Sequence, residues 1–125
     1  MIDRLFATPT YDASKHLLDA SALRQEALAA NIANAETPGY KRVDLNASFA
    51  TEFAARLRAG APASAPRPTL AEDTTAASQR ADGNTVELDK ELLAMGKNGA
   101  EFEVLTDFVS GSLKQLRMAI TGRSY

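Results

Sequence analysis

The sequence predicts a mainly α-helical chain, an elongated two-helix coiled-coil hairpin with an irregular central segment that has room for a short β-hairpin. Three observations carry this prediction: an N-terminal stretch free of Gly and Pro, a heptad stripe near the C-terminus, and a middle rich in Pro, Ala, Ser, Thr and Gly that holds no apolar period. They divide the 125 residues into a helical arm over 1–45, a loop or linker over 46–84 and a heptad helix over 85–125, together one domain.

The first arm opens at Thr8-Pro9, where the threonine side chain can accept from the free N–H groups and proline suits the first helical position. It runs on for about 28 residues before the Pro38-Gly39 turn dipeptide stops it. Its stripe is Tyr11, Ser14, Leu18, Ser21, Gln25, Leu28, Ile32 and Ala35. Half of these are small or polar, which predicts close helix approach rather than a thick core. Residues 60–84 follow as the softest part of the chain.

The second arm starts after Asp82-Gly83-Asn84, and its period is sharper. Leu88, Leu92, Met95, Gly99, Phe102, Thr106, Val109, Leu113, Leu116 and Ile120 alternate spacings of four and three, as a coiled-coil seam does. Glu87, Asp89 and Glu91 at its start and Lys114, Arg117 and Arg123 toward its end suit the helix dipole. About 35 helical residues extend roughly 50 Å, whereas a compact chain of this length is about 36 Å across. Either the helix breaks near Gly96–Gly99 or Gly111, or the molecule is elongated; the hairpin is the preferred reading. Burying one thin seam does not offset the entropy of ordering so much backbone, so an isolated hairpin is expected to be marginal and to complete its core with copies or partners.

Composition excludes several function classes. Aromatic residues are only 6% of the chain and there is no Cys or Trp. Thiol chemistry, disulfides and cysteine zinc sites are therefore absent, and the single histidine, His16, cannot build a histidine cluster. A formal net charge of -2 with both signs interspersed leaves no footprint for nucleic acid. The first 30 residues carry Asp3, Asp12, Asp19 and Glu26 without an apolar run, so export, if it occurs, is expected to use no cleavable signal peptide.

Other motifs have plain readings. Gly96-Lys97-Asn98-Gly99 lacks the spacing of a phosphate loop. His16 reads as a surface helix residue, Asn46-Ala47-Ser48 as a glycosylation sequon by pattern only, and Glu101 with Glu103 as carboxylates that do not face each other. Arg56 and Arg58 with Lys41 and Arg42 form a weak basic cluster, read as solvated surface.

The end of the first arm carries the most specific signal: Ala30-Asn31-Ile32-Ala33-Asn34-Ala35-Glu36-Thr37-Pro38-Gly39-Tyr40-Lys41-Arg42. This block closely resembles the N-terminal signature of the flagellar axial proteins, the rod, hook and hook-associated subunits. Met1-Ile2-Asp3-Arg4-Leu5-Phe6, Arg24-Gln25-Glu26, Asp82-Gly83-Asn84 and the closing Leu116–Arg123 stretch extend the resemblance to about two thirds of the chain. The short length is similar to that of a proximal rod subunit, and residues 46–81 match nothing dependable. On spacing alone, Asn31 and Asn34 share a helical face; Asn34 can support the helix C-terminus with Asn31 solvated, or both can fix register across a helix interface. The resemblance favours the second, with this segment packed between subunits. Pro38-Gly39 must turn the chain, and Tyr40 reads equally as an interface anchor or a half-buried ring.

The resemblance implies a non-catalytic structural subunit of the bacterial flagellar rod, without cofactor, metal, nucleic acid or small-molecule substrate. Its assembly residues would be Asn31, Ile32, Asn34, Pro38, Gly39, Tyr40, Leu88, Leu92, Met95, Phe102, Val109, Leu113, Leu116 and Ile120. It further implies, as partners, further copies and rod proteins of the FlgC, FlgF and FlgG type, the adapter FliE, the MS-ring protein FliF and the rod-cap factor FlgJ. The flagellar type III export apparatus would deliver the chain to a periplasmic rod. The heptad alone would equally allow a soluble coiled-coil module such as a type III secretion chaperone or adaptor.

Overall fold

The structure is a computed structural model and describes residues 8–76 and 78–123. The Met1–Phe6 part of the signature lies outside the described residues. The elements in chain order are α1 (Pro9–Ala33), β1 (Val43–Leu45), α2 (Ala47–Arg58), a 3-10 turn (Pro62–Ser64), β2 (Leu70–Glu72) and α3 (Leu88–Thr121). The dominant contact is α1 on α3. Ser21 meets Asn98 and Asn31 meets Glu91, so the two helices run antiparallel. The expected hairpin of terminal helices is present.

Local chemistry sets the boundaries. Thr8 is the N-cap of α1, its side chain accepting from Tyr11 N–H, with Pro9 in the first turn. Asn34 closes the far end: its Nδ2 donates to Ala30 O and its backbone N–H reaches Ala30 and Asn31. α3 runs unbroken through Gly96, Gly99 and Gly111 and stops at Gly122, whose φ of 64° is left-handed. The long helix does not break at its glycines.

The middle departs from the linker expectation. Residues 47–58 form α2, whose N-cap Asn46 accepts from Ser48 N–H, so the sequon reads structurally as a helix start. Phe49 and Phe53, one turn apart and stacked at 5.8 Å, lie against Ala13, Ala20 and Ala65, with Leu45 beside them. β1 and β2 pair antiparallel, Val43 opposite Glu72 and Leu45 opposite Leu70. The ribbon is no tight hairpin, because α2 sits between its strands. His16 is also not a free surface residue: it is half-buried, 6.4 Å from the Phe53 ring, with Nδ1 buried and unpaired.

The helix interface is polar. α1 buries Ala13, Ser14, Ala20, Ser21, Ala27, Leu28 and Asn31, while α3 buries Glu91 and Asn98. Asn98 Nδ2 donates to Ser21 O and Gln25 Oε1, and Ser21 Oγ donates to Asn98 Oδ1. The small residues predicted for the α1 stripe permit this approach. The apolar seam of α3 lies on average roughly 50° round the helix from that line, at about 3.6 residues per turn.

Candidate assembly surface and the clasp that shapes it

Two arrangements converge at the base of the hairpin. The first is built around Asn31, which is fully buried. Its Oδ1 accepts from Val43 N–H and Tyr40 OH; its Nδ2 donates to Val43 O and Glu91 Oε2. The carboxamide thus pairs with the Val43 backbone as a strand neighbour would, tying the start of β1 to α1. Glu91 is also buried, and Arg42 Nε donates to its other oxygen. The same guanidinium reaches Asp73 at 2.7 Å and Asp44 at 3.0 Å, and Arg24 reaches Asp44. One Arg therefore joins the turn segment, β1, the β2 end and α3 through charge-assisted bonds.

The electrostatics follow. Burial alone would lower the Arg42 pKa, but bonding to Glu91 and Asp44 outweighs it and holds the guanidinium charged. The Thr75 hydroxyl, aided by Thr75 N–H and Arg42, keeps the Asp73 carboxyl below its ordinary value despite some burial. Burial and the nearby Glu91 carboxylate raise the Tyr40 phenol, so Tyr40 stays a neutral donor. Lys90 and then Ser78 lower the half-buried Glu87 carboxyl below its ordinary value.

The second arrangement locks two turns together. Asn84, also fully buried, donates from Nδ2 to Asn34 O, Ala35 O and Thr37 O and accepts from Val86 N–H. Gly39 N–H donates to Asp82 O, Lys41 Nζ to Gly83 O, and Thr85 N–H to Tyr40 O. Gly39 and Gly83 have φ of 73° and 85°, and a Cβ on Gly83 would stand 3.5 Å from Gly39 Cα. The Pro38-Gly39 and Asp82-Gly83 turns thus clasp, fixing how the chain leaves α1 and approaches α3.

The candidate residues fall into two groups. Asn31 lies wholly inside the chain, Ile32, Asn34 and Tyr40 are half-buried, and Pro38 and Gly39 are exposed at the clasp. Along α3, Leu88, Leu92, Phe102, Leu113 and Ile120 are exposed, with Leu92 52% and Ile120 67% accessible; Met95, Val109 and Leu116 are half-buried. Of the α1 partners, Leu28 is buried and Leu18 and Ile32 are half-buried. An apolar groove beside the polar contact is lined by Ala22, Gln25, Glu26, Ala29, Asn98, Gly99 and Phe102.

The supposed basic cluster is not one: Arg42 is held among carboxylates and Lys41 on a carbonyl, while Arg56 and Arg58 are exposed on the last turn of α2. Sequence reasoning missed Glu91, Asn98, Arg42 and Asn84 as organising residues. Their signal was polar side chains seven apart, Glu91 and Asn98, on a helix otherwise read by its leucines. Among the described residues, no group of three acidic or histidine side chains could hold a metal ion, and no helix is long and apolar enough to cross a membrane.

Residues 18–41, from the middle of α1 through the clasped turn, match the model of the family described as flagella basal body rod protein. That match points to the class of flagellar basal body rod proteins, and whole-chain similarity supports it. The chain is 32% identical to flagellar basal body rod protein FlgB of Escherichia coli (strain K12), over 91% of this chain and 93% of the relative. It is 31% identical to FlgB of Salmonella typhimurium, over 98% and 99%, and 30% identical to FlgB of Aeromonas hydrophila, over 86% and 89%. The chain belongs to the FlgB family of flagellar basal body rod proteins, structural components rather than enzymes.

Proposed function

We propose that this chain is a proximal subunit of the flagellar rod, where it links the membrane ring to the rest of the rod and gains in the polymer the burial its monomer lacks. The reading rests on one observation: the heptad stripe of α3 is exposed at Leu88, Leu92, Leu113 and Ile120, although its period is that of a helix seam. Leu88, Leu92, Met95, Phe102, Val109, Leu113, Leu116 and Ile120 would pack on helices of neighbouring subunits. The clasp residues Asn31, Ile32, Asn34 and Tyr40 act from within by fixing helix register, while Pro38 and Gly39 present the turn itself.

The partners in this reading are rod proteins of the FlgC, FlgF and FlgG type, the adapter FliE, the ring protein FliF and the cap factor FlgJ. The chain reaches the periplasmic rod through the flagellar type III apparatus. A hairpin held by a polar interface is easily unfolded for such passage, since its helix contact buries few large apolar groups.

The test is Leu113→Asp in cells whose own copy is deleted. Leu113 is exposed in the single chain, so folding and export should be retained, while the subunit should be missing from purified basal bodies and the cells non-motile. Normal motility would overturn the packing assignment. Recovery of the wild-type chain only in cytoplasm, never in basal bodies, would favour the coiled-coil adaptor instead.

A further inference from the structure

The apolar seam of α3 and the groove beside it have different chemistry at their edges. The groove between α1 and α3 has a floor of small groups, Ala22, Ala29 and Gly99, walled by Phe102. Glu26 forms its rim on α1, and Asp19, seven residues earlier and exposed, continues the same edge. The last turns of α3 carry the reverse combination: Leu113 and Ile120 are exposed on the seam, Lys114 is exposed beside it, and Arg123 is exposed just past the Gly122 cap. An acidic-rimmed trough thus lies near the middle of the hairpin, and an apolar, basic helical end lies at its tip.

We infer that the Leu113–Ile120 end of α3 from one copy of this chain seats in the Ala22/Ala29/Phe102 groove of the next, with Lys114 beside Glu26. This deepens the rod-subunit reading and rests on it. The occupant is a second copy because the donor's charge answers the rim, and because its leucines and isoleucine continue the same heptad that walls the groove.

Donor and acceptor are different surfaces, so the contact is heterologous and can pass from copy to copy. With neighbouring α3 helices running in one sense, setting Lys114 at the level of Glu26 displaces the donor by about 19 residues, or about 28 Å along the axis. The same register brings Ile120 to the level of Phe102. Each copy thereby gains a third helix over the flank that its own pair leaves bare.

The chain contains no cysteine, so introduced cysteines report the contact without background. Full-length Ala22→Cys and Ile120→Cys proteins are purified separately, mixed at high concentration and oxidised, with Leu93→Cys, on the far side of α3, as the control. The expected product is a disulfide between Ala22→Cys and Ile120→Cys chains, well above any product with Leu93→Cys, because the bond needs Cα atoms within about 7 Å.

Glu26→Lys should lower the yield about fivefold, the size of a single exposed ion pair, and Lys114→Glu in the other chain should restore it. Raised salt should weaken the contact. An Ile120→Cys homodimer as the dominant species would overturn the inference in favour of seam-to-seam pairing, and so would absence of cross-link or failure of the charge swap. If the cysteine variants support motility yet do not cross-link, this contact is wrong while the rod-subunit reading stands. The Leu113→Asp experiment tests that reading separately.

Discussion

Single carboxamides do much of the structural work in this chain. Asn84 donates to three carbonyls at the end of α1 and accepts from one N–H at the approach to α3. Asn84→Ala removes these bonds and strips the buried Val86 N–H of its acceptor, while Asn34 O, Ala35 O and Thr37 O keep Thr37 N–H, Arg80 and Tyr40 N–H as donors; the cost of about 1–3 kcal/mol should register in urea unfolding of the purified chain. Asn84→Asp would be no milder a change, since a carboxylate cannot donate to the three carbonyls. The ion network gives a pH signature. Because the folded Asp73 pKa is depressed, its contribution is present above the ordinary carboxylate value and disappears as pH falls through and below it. Stability should therefore drop on acidification below about pH 4, and Asp73→Asn should flatten that limb of the curve measured by circular dichroism.

At the level of elements, α2 is held chiefly by two rings. Phe49 and Phe53 are nearly buried on the alanines of α1, whereas Leu57 and the last turn of α2 are exposed. Phe53→Ala should cost about 3 kcal/mol, near the low end for aromatic truncation because the site opens to solvent. The loss should be local. Hydrogen exchange should accelerate in α2 and leave the Ser21–Asn98 region of the helix pair protected; uniform acceleration would mean that α2 and the pair form one cooperative unit.

The terminal helices were legible from sequence because each has a long unbroken run and a chemical stop, Pro38-Gly39 for α1 and Asp82-Gly83-Asn84 ahead of α3. α2 was not, since twelve residues with two aromatics among alanines carry too short a period. Nor was the offset of the seam. The leucine pattern names the apolar face of α3, but Glu91 and Asn98 decide which face turns to α1, and polar residues are usually read as solvent-facing. Where such groups are buried, they have value only through partners distant in sequence, such as Asn31 with Glu91.

Taken whole, the molecule separates two tasks along its length. The clasp and ion network anchor the base, where chain segments far apart in sequence are tied by side chains with specific geometry. Farther along α3, exposed apolar groups meet few partners within the chain, which leaves them for other molecules. A core built on carboxamides and alanines defines register without much burial, in keeping with the proposal that neighbours in the rod supply further stability.

Gly60, with a φ of 70°, sits in the bend after α2 with nothing within 4 Å of where a Cβ would lie. Arg58, Ala59 and Ala61 around it are exposed as well. This bend is therefore a natural splice point: a short epitope or a fluorogen-binding peptide inserted after Gly60 should leave thermal melting within a few degrees of the parent, because loop length is entropically cheap. Such a labelled chain would allow rod growth to be watched in living cells, using a handle that belongs to neither the clasp nor the leucine stripe.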